Sequence, residues 1–429
     1  MKCVIKNGQV IDPANSISGK RTIYIDKGVI AGIGRAPKSF YEKPGKKIRE
    51  FDAKGCFVLP GLIDICARLR EPGQEHKATI ATEARAAASG GITSVICPPD
   101  TWPVIDTPAM VNMVRDRAKS CGYSKVIPMG ALTVGLEGQK LSNMAMLLDA
   151  GCAGLSNGLN IVENTLVMRR ALQYAATFSA TVITTPHDPW LLGNGSVHEG
   201  LVSTRLGLPA IPEAAETVGV ARDIALIETS GVKAHFDLLS SARSVEMVKE
   251  ARNRRLPLSA GVSINHLLQN EDDIGEFNTM NKVFPPFRTE KDRKALLKGL
   301  NSGIISTICS NHQPHGKDAK LAPFSEASAG MSSLDTLLPL AYKLVLDGAV
   351  DLNKLVAALT VNPANILGIN GGTLSKGAAA DLCIFNPKIS WVVTEDAICS
   401  RGKNTPLLNQ PLQGRVTHTW VEGKLVHQI

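Results

Sequence analysis

Residues 79–101 read TIATEARAAASGGITSVICPPDT. An alanine-rich stretch of helix length ends at Gly90-Gly91, a common C-terminal signal of helices, and an apolar run at 93–97 follows almost at once. The Pro-Pro-Asp-Thr sequence at 98–101 then closes the run with turn-forming residues. A helix followed directly by a short apolar strand is the unit from which parallel α/β sheets are built.

The same alternation continues in both directions from this segment. Eight short apolar segments are predicted as strands: 62–69, 93–97, 125–131, 153–156, 180–184, 232–238, 257–262 and 304–309. Helical patterns separate most of them, including 79–89 and 212–230. A doubly wound sheet has the same alternation, but no G-x-G-x-x-G follows a strand. Eight units therefore favour an α/β fold of the (β/α)8, TIM-barrel type.

Composition excludes several classes of protein. Of the 429 residues, 44% are hydrophobic and 20% charged, which is typical of a globular chain with a large core. No apolar run approaches the roughly 18 residues that a membrane span needs, and the N-terminus enters strand-like alternation without a signal peptide. Nine cysteines without a C-x-x-C pair indicate reduced thiols. We expect a cytoplasmic protein with no membrane partner.

The net charge of +8 does not predict a nucleic-acid partner. Aromatic residues make up only 4% of the chain, and no recognition motif accompanies the basic residues. A basic balance without such a motif is better explained by solubility or by an acidic partner surface. We therefore expect no nucleic acid among the partners.

Chemistry in a barrel of this type is expected at the carboxyl ends of the strands. The nine histidines include no His-x-His pair, and the one closely spaced pair, His312 and His315, follows the last predicted strand. Two histidines without a nearby acid seldom hold zinc, so structural hydrogen bonding is favoured for them. Cys66 could be a soft ligand, but Arg68 would lie on the same side of its strand and repel a divalent cation.

Other catalytic patterns are weak. No serine lies in a G-x-S-x-G elbow, and no cysteine is placed beside an obvious histidine base. Asp100, Asp188 and Asp237 follow predicted strands and could act as general bases. Isolated acids at loop starts are more often helix caps or ion-pair partners.

Several segments in sequence order carry a family resemblance. They are PGLID at 60–64, LREPGQE at 69–75, PPDT at 98–101, FPPFR at 284–288, SNHQPH at 310–315 and AADL at 379–382. Together they resemble the dihydroorotase branch of the amidohydrolase family over essentially the whole chain. The resemblance implies a barrel, here residues 55–366, flanked by a small β-sandwich domain from both chain ends, here residues 1–54 and 367–429. That division agrees with the strand-like patterns at both ends.

Active members of this family hold a metal centre at the strand ends. The resemblance implies a His-x-His pair on strand one, a bridging carboxylate or carbamylated lysine on strand four, histidines on strands five and six, and an aspartate on strand eight that is both ligand and base. The corresponding residues here are Cys66, Arg68, Gly158, Thr185, Leu238 and Asn311. Glycine and leucine offer no donor, threonine is a poor ligand, and asparagine accepts no proton at neutral pH. We expect no metal, no cofactor and no catalytic residue.

The substrate-reading positions are mixed. Arg70 matches the arginine that the family uses to hold the substrate carboxylate. Asp100 and Phe284 stand where the family usually has asparagine, and Asp100 would repel that carboxylate. We expect an internal ion pair between Arg70 and Asp100 in a collapsed pocket, which also contains His312 and His315.

Within the family, the pattern is most similar to the non-catalytic dihydroorotase-like chains that accompany aspartate transcarbamoylase. This resemblance implies a pseudoenzyme of pyrimidine biosynthesis that acts as a structural scaffold in a hetero-oligomer with aspartate transcarbamoylase catalytic chains. A homo-oligomer is also compatible with the resemblance. Barrel-end loops such as 193–203 and 311–330 are candidate contact surfaces.

Three alternatives remain open. The first is an active dihydroorotase, a cyclic amide hydrolase, with an unusual metal centre built from Cys66, His187, His312 and His315. The second is an inactive amidohydrolase similar to the dihydropyrimidinase-related proteins. The third is a small-molecule sensor that uses Arg70.

Overall fold

Eight short parallel strands form a closed barrel in the computed structural model, which describes residues 2–41 and 48–429. In chain order these strands are Leu62–Asp64, Ile92–Cys97, Lys125–Pro128 continued by Gly130–Ala131, Leu155–Ser156, Thr181–Thr184, Lys233–Phe236, Leu258–Ser263 and Thr307–Cys309. The barrel closes where Ala67 pairs with His312 and the N–H of Arg68 donates to the carbonyl of His312 at 2.9 Å. The predicted barrel and its eight strand positions are confirmed.

The first strand is shorter than the predicted 62–69 and ends at Asp64. The carboxylate of Asp64 accepts hydrogen bonds from the N–H groups of Cys66 at 3.4 Å and Ser310 at 3.0 Å. In a longer strand these N–H groups would donate to carbonyl groups of neighbouring strands. Here they donate to the side chain of Asp64 instead. The strand-like pattern of the sequence therefore continues beyond the regular strand.

A helix follows each barrel strand and packs outside it. These helices are Ile80–Ser89, Pro108–Cys121, Met144–Asp149, Thr165–Thr177, Ala214–Ser230, Ala242–Asn253, Glu290–Asn301 and Leu337–Leu346. Helix Ile80–Ser89 begins with a capping box between Thr79 and Thr82 and ends before Gly90, as the sequence predicts. Two further helices, Leu352–Leu359 and Val361–Leu367, lead from the barrel to the second domain.

Shorter elements lie in the loops. Helices Pro189–Leu192, Leu201–Leu206 and Ile264–Leu268 and paired strands Val197–His198 and Ala210–Ile211 follow barrel strands five and seven. The 3-10 turns are Pro13–Asn15, Lys38–Phe40, Val134–Leu136, Glu271–Ile274, Thr279–Asn281 and Lys317–Lys320. Within the described ranges, no helix has the length and apolar character needed to cross a membrane.

Both chain ends build a β-sandwich beside the barrel. One sheet has the order Val29–Ile33, Ile23–Asp26, Lys2–Lys6, Ile48–Asp52, and the other has the order Lys424–Gln428, Pro411–Val421, Leu382–Val392, Phe57–Pro60, Gln9–Asp12, Ile17–Lys20. Buried side chains of both sheets, including Ile5, Ile25, Val58 and Trp420, form one apolar core. Strand Phe57–Pro60 pairs within this sandwich, so its N-terminal part extends past the predicted boundary at residue 54.

The connection between the two long sandwich strands, residues 393–410, reaches across to the barrel. The N–H groups of Cys399 and Ser400 donate to the carboxylate of Asp335 at 2.7 and 3.1 Å, and the N–H of Arg401 donates to Glu83 at 3.0 Å. Further along, the Asn404 amide binds backbone groups of the loop that follows the last barrel strand. The sandwich domain thus supplies hydrogen-bond donors to buried acids of the barrel.

Candidate functional site

Several predicted site residues meet at the carboxyl ends of the barrel strands. Cys66, Arg68, Gly158 and Thr185 line one small cavity together with Asp237. Its volume is about 20 Å³, measured as space open to the centre of a water-sized sphere. That is close to the minimum for a single water molecule and more than tenfold below the roughly 300 Å³ of a small-molecule site.

Arg68 fills the centre of this region. Its Nε donates to Oδ2 of Asp100 at 2.8 Å, and only 6% of the arginine side chain is exposed. Burial opposes the charged form, but the neighbouring Asp100 raises the pKa of Arg68 above its usual value. The predicted ion pair between Arg70 and Asp100 is wrong. Asp100 pairs instead with Arg68, two residues earlier in the chain.

Gly158 makes room for the acid of this pair. Its φ is +60°, and a Cβ built there would lie 3.0 Å from both Cγ and Oδ2 of Asp100. The carboxylate of Asp100 therefore packs against the backbone where the family resemblance implies a metal-bridging side chain. A larger residue at 158 would therefore require Asp100 to shift from its observed position.

A second acid and two thiols complete the surroundings of Arg68. Nη1 of Arg68 lies 3.8 Å from Sγ of Cys66, and Sγ of Cys309 lies 3.8 Å from Oδ1 of Asp237. Burial raises the pKa of the Asp237 carboxyl, and it raises that of the Cys309 thiol well above its usual value. A protonated thiol is a poor metal ligand, and a fixed guanidinium beside it opposes a divalent cation.

The donor set therefore does not fit the metal centre that the family resemblance implies. Across residues 2–41 and 48–429, no three histidine, cysteine, aspartate or glutamate side chains are arranged so that they could hold a metal ion. Within those described residues, Cys66, His187, His312 and His315 therefore do not come together as the unusual metal centre considered above.

Arg70 turns away from the cavity toward the loop after the last barrel strand. Its Nε donates to the carbonyl of Pro314 at 3.0 Å, and Nη2 lies 3.1 Å from Nε2 of His315. The φ of Arg70 is +67°, which redirects a side chain that strand alternation would place beside Arg68. Burial, with the repulsion of Arg68, lowers the pKa of Arg70 to about 10.

His312 and His315 have different partners. Nε2 of His312 lies 2.8 Å from Oε2 of Glu83, and Nδ1 accepts the N–H of Ser333 at 3.0 Å. Because Nδ1 accepts, Nε2 carries the proton and donates to Glu83. Burial opposes ionisation of Glu83, but His312, the Ser400 hydroxyl and the N–H of Arg401 together outweigh it and lower the pKa of this acid. For His315, burial and the charge of Arg70 lower the pKa to about 3.

Sequence reasoning missed Glu83, although its position offers a signal. It is the acid on the buried face of the alanine-rich helix Ile80–Ser89, where a charged side chain needs a partner. That partner lies 229 residues away in the sequence. Asp237, which the sequence suggested as a candidate general base but more readily as a cap or ion-pair partner, is part of the central cluster.

The remaining predicted residues fill space around the barrel mouth. Leu238 is buried in an apolar cluster with Ile183 and Cys66. Nδ2 of Asn311 donates to the carbonyl of Phe284 at 3.0 Å, and the Phe284 ring lies 4.9 Å from that of His187. Burial lowers the pKa of His187 to about 4. At the family's strand-six histidine position Leu238 thus makes packing contacts, and at its base position Asn311 makes a hydrogen bond to the backbone.

Comparisons with known proteins agree with this fold. Residues 55–244 match the sequence model of the Dihydro-orotase-like family, and residues 195–426 match that of the Amidohydrolase family. Among solved structures, an L-hydantoinase from Arthrobacter aurescens has a TM-score of 0.87 at 21% identity, covering 99% of this chain and 96% of that one. A D-hydantoinase from a Thermus species has a TM-score of 0.85 at 23% identity, covering 99% and 95%.

Curated relatives are more similar in sequence. A protein named dihydroorotase-like protein from Pseudomonas putida is 44% identical, covering 100% of this chain and 99% of the relative. Its counterpart of the same name from Pseudomonas aeruginosa is 43% identical over the full length of both chains. A protein named dihydroorotase from Anaeromyxobacter sp. strain K is 40% identical, covering 99% and 97%. The chain therefore belongs to the dihydroorotase-like proteins of the amidohydrolase superfamily.

Proposed function

We propose that this chain is a non-catalytic dihydroorotase-like protein of pyrimidine biosynthesis that serves as a structural scaffold for aspartate transcarbamoylase. The observation that carries the proposal is the buried pair of Arg68 and Asp100 packed on Gly158. It occupies the position where the family resemblance implies a metal and its bridging ligand.

The chemistry of the residues supports the absence of catalysis. Hydrolysis of a cyclic amide needs an activated water and a group that accepts its proton. The base position holds Asn311, whose amide donates to a backbone carbonyl, and the cation position holds a guanidinium that cannot activate water as a Lewis acid. The cavity of about 20 Å³ leaves no room for a ring-sized substrate.

Loss of the site alongside an intact fold supports a role for the surface. The barrel and the sandwich are complete, and the old site is filled by packed, paired side chains rather than left open. A fold maintained without its chemistry is consistent with use as an assembly partner. In this proposal the partners are aspartate transcarbamoylase catalytic chains, and self-association within the complex is compatible with it.

One observation favours the alternative of an active dihydroorotase with a rebuilt metal centre. Proteins named dihydroorotase are 40% identical to this chain over nearly its whole length. Elemental analysis of zinc-supplemented protein, run beside a dihydroorotate hydrolysis assay, separates the two. We expect less than 0.1 zinc per chain and no turnover. Stoichiometric zinc, with turnover that His312→Ala abolishes, would establish the enzyme.

The scaffold role needs a test of its own. Purified chain is mixed with aspartate transcarbamoylase catalytic chains from the same organism, and the mixture is analysed by sedimentation velocity. We expect a complex larger than either component and a higher transcarbamoylase activity than in the unmixed enzyme. Two independent species with unchanged activity would contradict the scaffold role.

A further inference from the structure

Loops after barrel strands five, seven and eight pack into one lobe at the carboxyl end of the barrel. We call this part the loop lobe and define it as residues 197–211, 269–283 and 316–328. Its own small core contains Val197, Val202, Ile274 and Phe324, all buried. The hydroxyl of Thr279 also donates to the carbonyl of Lys320 at 2.6 Å and joins two of the loops. The lobe is therefore a packed unit with a defined surface.

Three large apolar side chains project from this unit into solvent. Leu201 is 87% exposed, Leu321 is 79% exposed and Phe277 is 47% exposed. Leu201 directly precedes the buried Val202, while Phe277 and Leu321 lie three residues from Ile274 and Phe324. The core thus holds their backbone in place. Exposed apolar side chains that are carried by one packed unit are candidates for a contact site.

The exposed charges of the lobe are mostly negative. Its exposed acids are Glu199, Asp272, Asp273, Glu276, Asp318 and Glu326, against two exposed basic residues, Arg205 and Lys317. Lys317 is already paired with Glu395 at 2.9 Å. The other two lysines turn inward, because Lys320 donates to two backbone carbonyls and Lys282 donates to Ser325. Because the whole chain has a net charge of +8, the acidic surface of the loop lobe does not follow from the overall composition.

We propose that the loop lobe is the surface on which a folded partner docks through an apolar centre ringed by lysine and arginine. This inference rests on the proposed function, in which that partner is aspartate transcarbamoylase. Leu201, Phe277 and Leu321 supply the apolar contacts, and the surrounding acids attract the basic rim.

A second copy of this chain fits the lobe less well. A two-fold dimer brings the same patch of both copies together, so six exposed acids would face six others. Like charges across an interface oppose association. The charge of the lobe therefore favours a different chain as its occupant.

The test measures the affinity of catalytic chains of aspartate transcarbamoylase for wild type and for two double variants. Leu201→Ser/Leu321→Ser removes the most exposed apolar contacts, and Leu346→Ser, on an outer barrel helix and 48% exposed, is the matched control. We expect the double variant to bind at least about 30-fold more weakly, as for central apolar contacts, and the control to bind like wild type.

The second double variant, Asp272→Lys/Glu276→Lys, reverses charge at the rim, with Glu250→Lys on helix Ala242–Asn253 as its control. Rim charges act mainly on the association rate, so we expect association about tenfold slower at low salt and a weaker dependence on salt. Unchanged circular dichroism and melting temperature would show that the variants fold.

The outcomes are distinct. Tight binding by wild type and by both folded double variants overturns the loop lobe as the docking surface and leaves the scaffold role standing. No binding by wild type overturns both. Self-association of wild type that Leu201→Ser/Leu321→Ser abolishes, with transcarbamoylase binding unchanged, identifies a second copy as the occupant and also overturns the inference.

Discussion

Nε of Arg68 lies 2.8 Å from Oδ2 of Asp100, so a fixed internal cation stands where the family resemblance implies a metal ion. A metal can be added or removed, whereas this cation is part of the chain. We therefore expect the stability of the barrel mouth to depend on this pair of side chains.

Asp100→Ala should lower the free energy of unfolding by about 3 kcal/mol, because it leaves the buried guanidinium of Arg68 without its partner. Urea unfolding followed by circular dichroism measures the loss. Arg68→Met/Asp100→Ala removes both charges and should recover most of it. A single variant as stable as wild type would contradict the structural role of the pair.

Gly158→Ala should destabilise the protein by more than the cost of the left-handed backbone alone. Gly231→Ala is the matched control, since Gly231 has a φ of +66° and no atom within 4 Å of its added Cβ. We expect a loss of about 1 kcal/mol for the control and about 2–3 kcal/mol for Gly158→Ala, which must also displace Asp100. Equal losses in thermal unfolding would mean that Asp100 moves aside freely.

His312→Ala should destabilise the chain by about 3 kcal/mol without changing its metal content. The substitution removes the donor to Oε2 of the buried Glu83, whose Oε1 keeps the N–H of Arg401, and leaves the N–H of Ser333 without an acceptor. The exposed His76→Ala serves as control, with an expected change within about 0.5 kcal/mol. Loss of bound zinc in His312→Ala, measured by elemental analysis, would instead assign the histidine to a metal site.

The stability of the protein should fall as the pH falls below about 6.5. Burial lowers the pKa of His235 from 6.5 to about 3, so the unfolded chain binds this proton at a higher pH than the folded one. The stabilisation is complete above pH 6.5 and is lost as the pH falls toward 3. His235→Gln should make the slope of unfolding free energy shallower by up to about 1.4 kcal/mol per pH unit between pH 6 and 4. An unchanged slope there would contradict the buried neutral imidazole.

Glu216 should add to the loss of stability at lower pH. It is fully buried and accepts hydrogen bonds from the N–H groups of Ser240 and Ser241 beside Arg288. Burial alone would raise its pKa, but Arg288, His187 and the hydroxyls of Ser240 and Ser244 lower it from 4.5 to about 2. Its stabilisation is present above pH 4.5 and is lost toward pH 2, so Glu216→Gln should unfold with a weaker pH dependence in that window. Equal dependence in both proteins would argue against the charged form.

The fold could be predicted because its signal is local. Each barrel strand is a short apolar run that stops at turn residues, and the run after Gly90-Gly91 is observed as Ile92–Cys97. The exact end of the first strand could not be predicted, since the Asp64 carboxylate captures the N–H of Ser310, 246 residues away. A side chain that accepts a backbone N–H in place of a neighbouring strand does not change the hydrophobic periodicity of the sequence, so the periodicity does not show where the strand ends.

The site was predictable in its positions but not in its pairing. The resemblance pointed to Cys66, Arg68, Gly158 and Thr185, which do share one cavity. The predicted pairing of Asp100 with Arg70 was wrong. Strand alternation would place the Arg70 side chain on the same side as Arg68, but the positive φ of Arg70 turns it away. The identity of a residue does not reveal such a backbone conformation when the residue is not glycine.

The crossing of residues 393–410 to the barrel has a consequence for biosynthesis. On the ribosome, the barrel segments emerge first, but the carboxylates of Glu83 and Asp335 obtain their backbone donors only when residues 399–401 have left the exit tunnel. Until then Glu83 lacks the N–H of Arg401 and Asp335 lacks both of its backbone donors, so the two acids rely on His312 and Ser89 within the barrel segments. These contacts therefore complete the barrel mouth last, when the C-terminal part of the chain folds onto it.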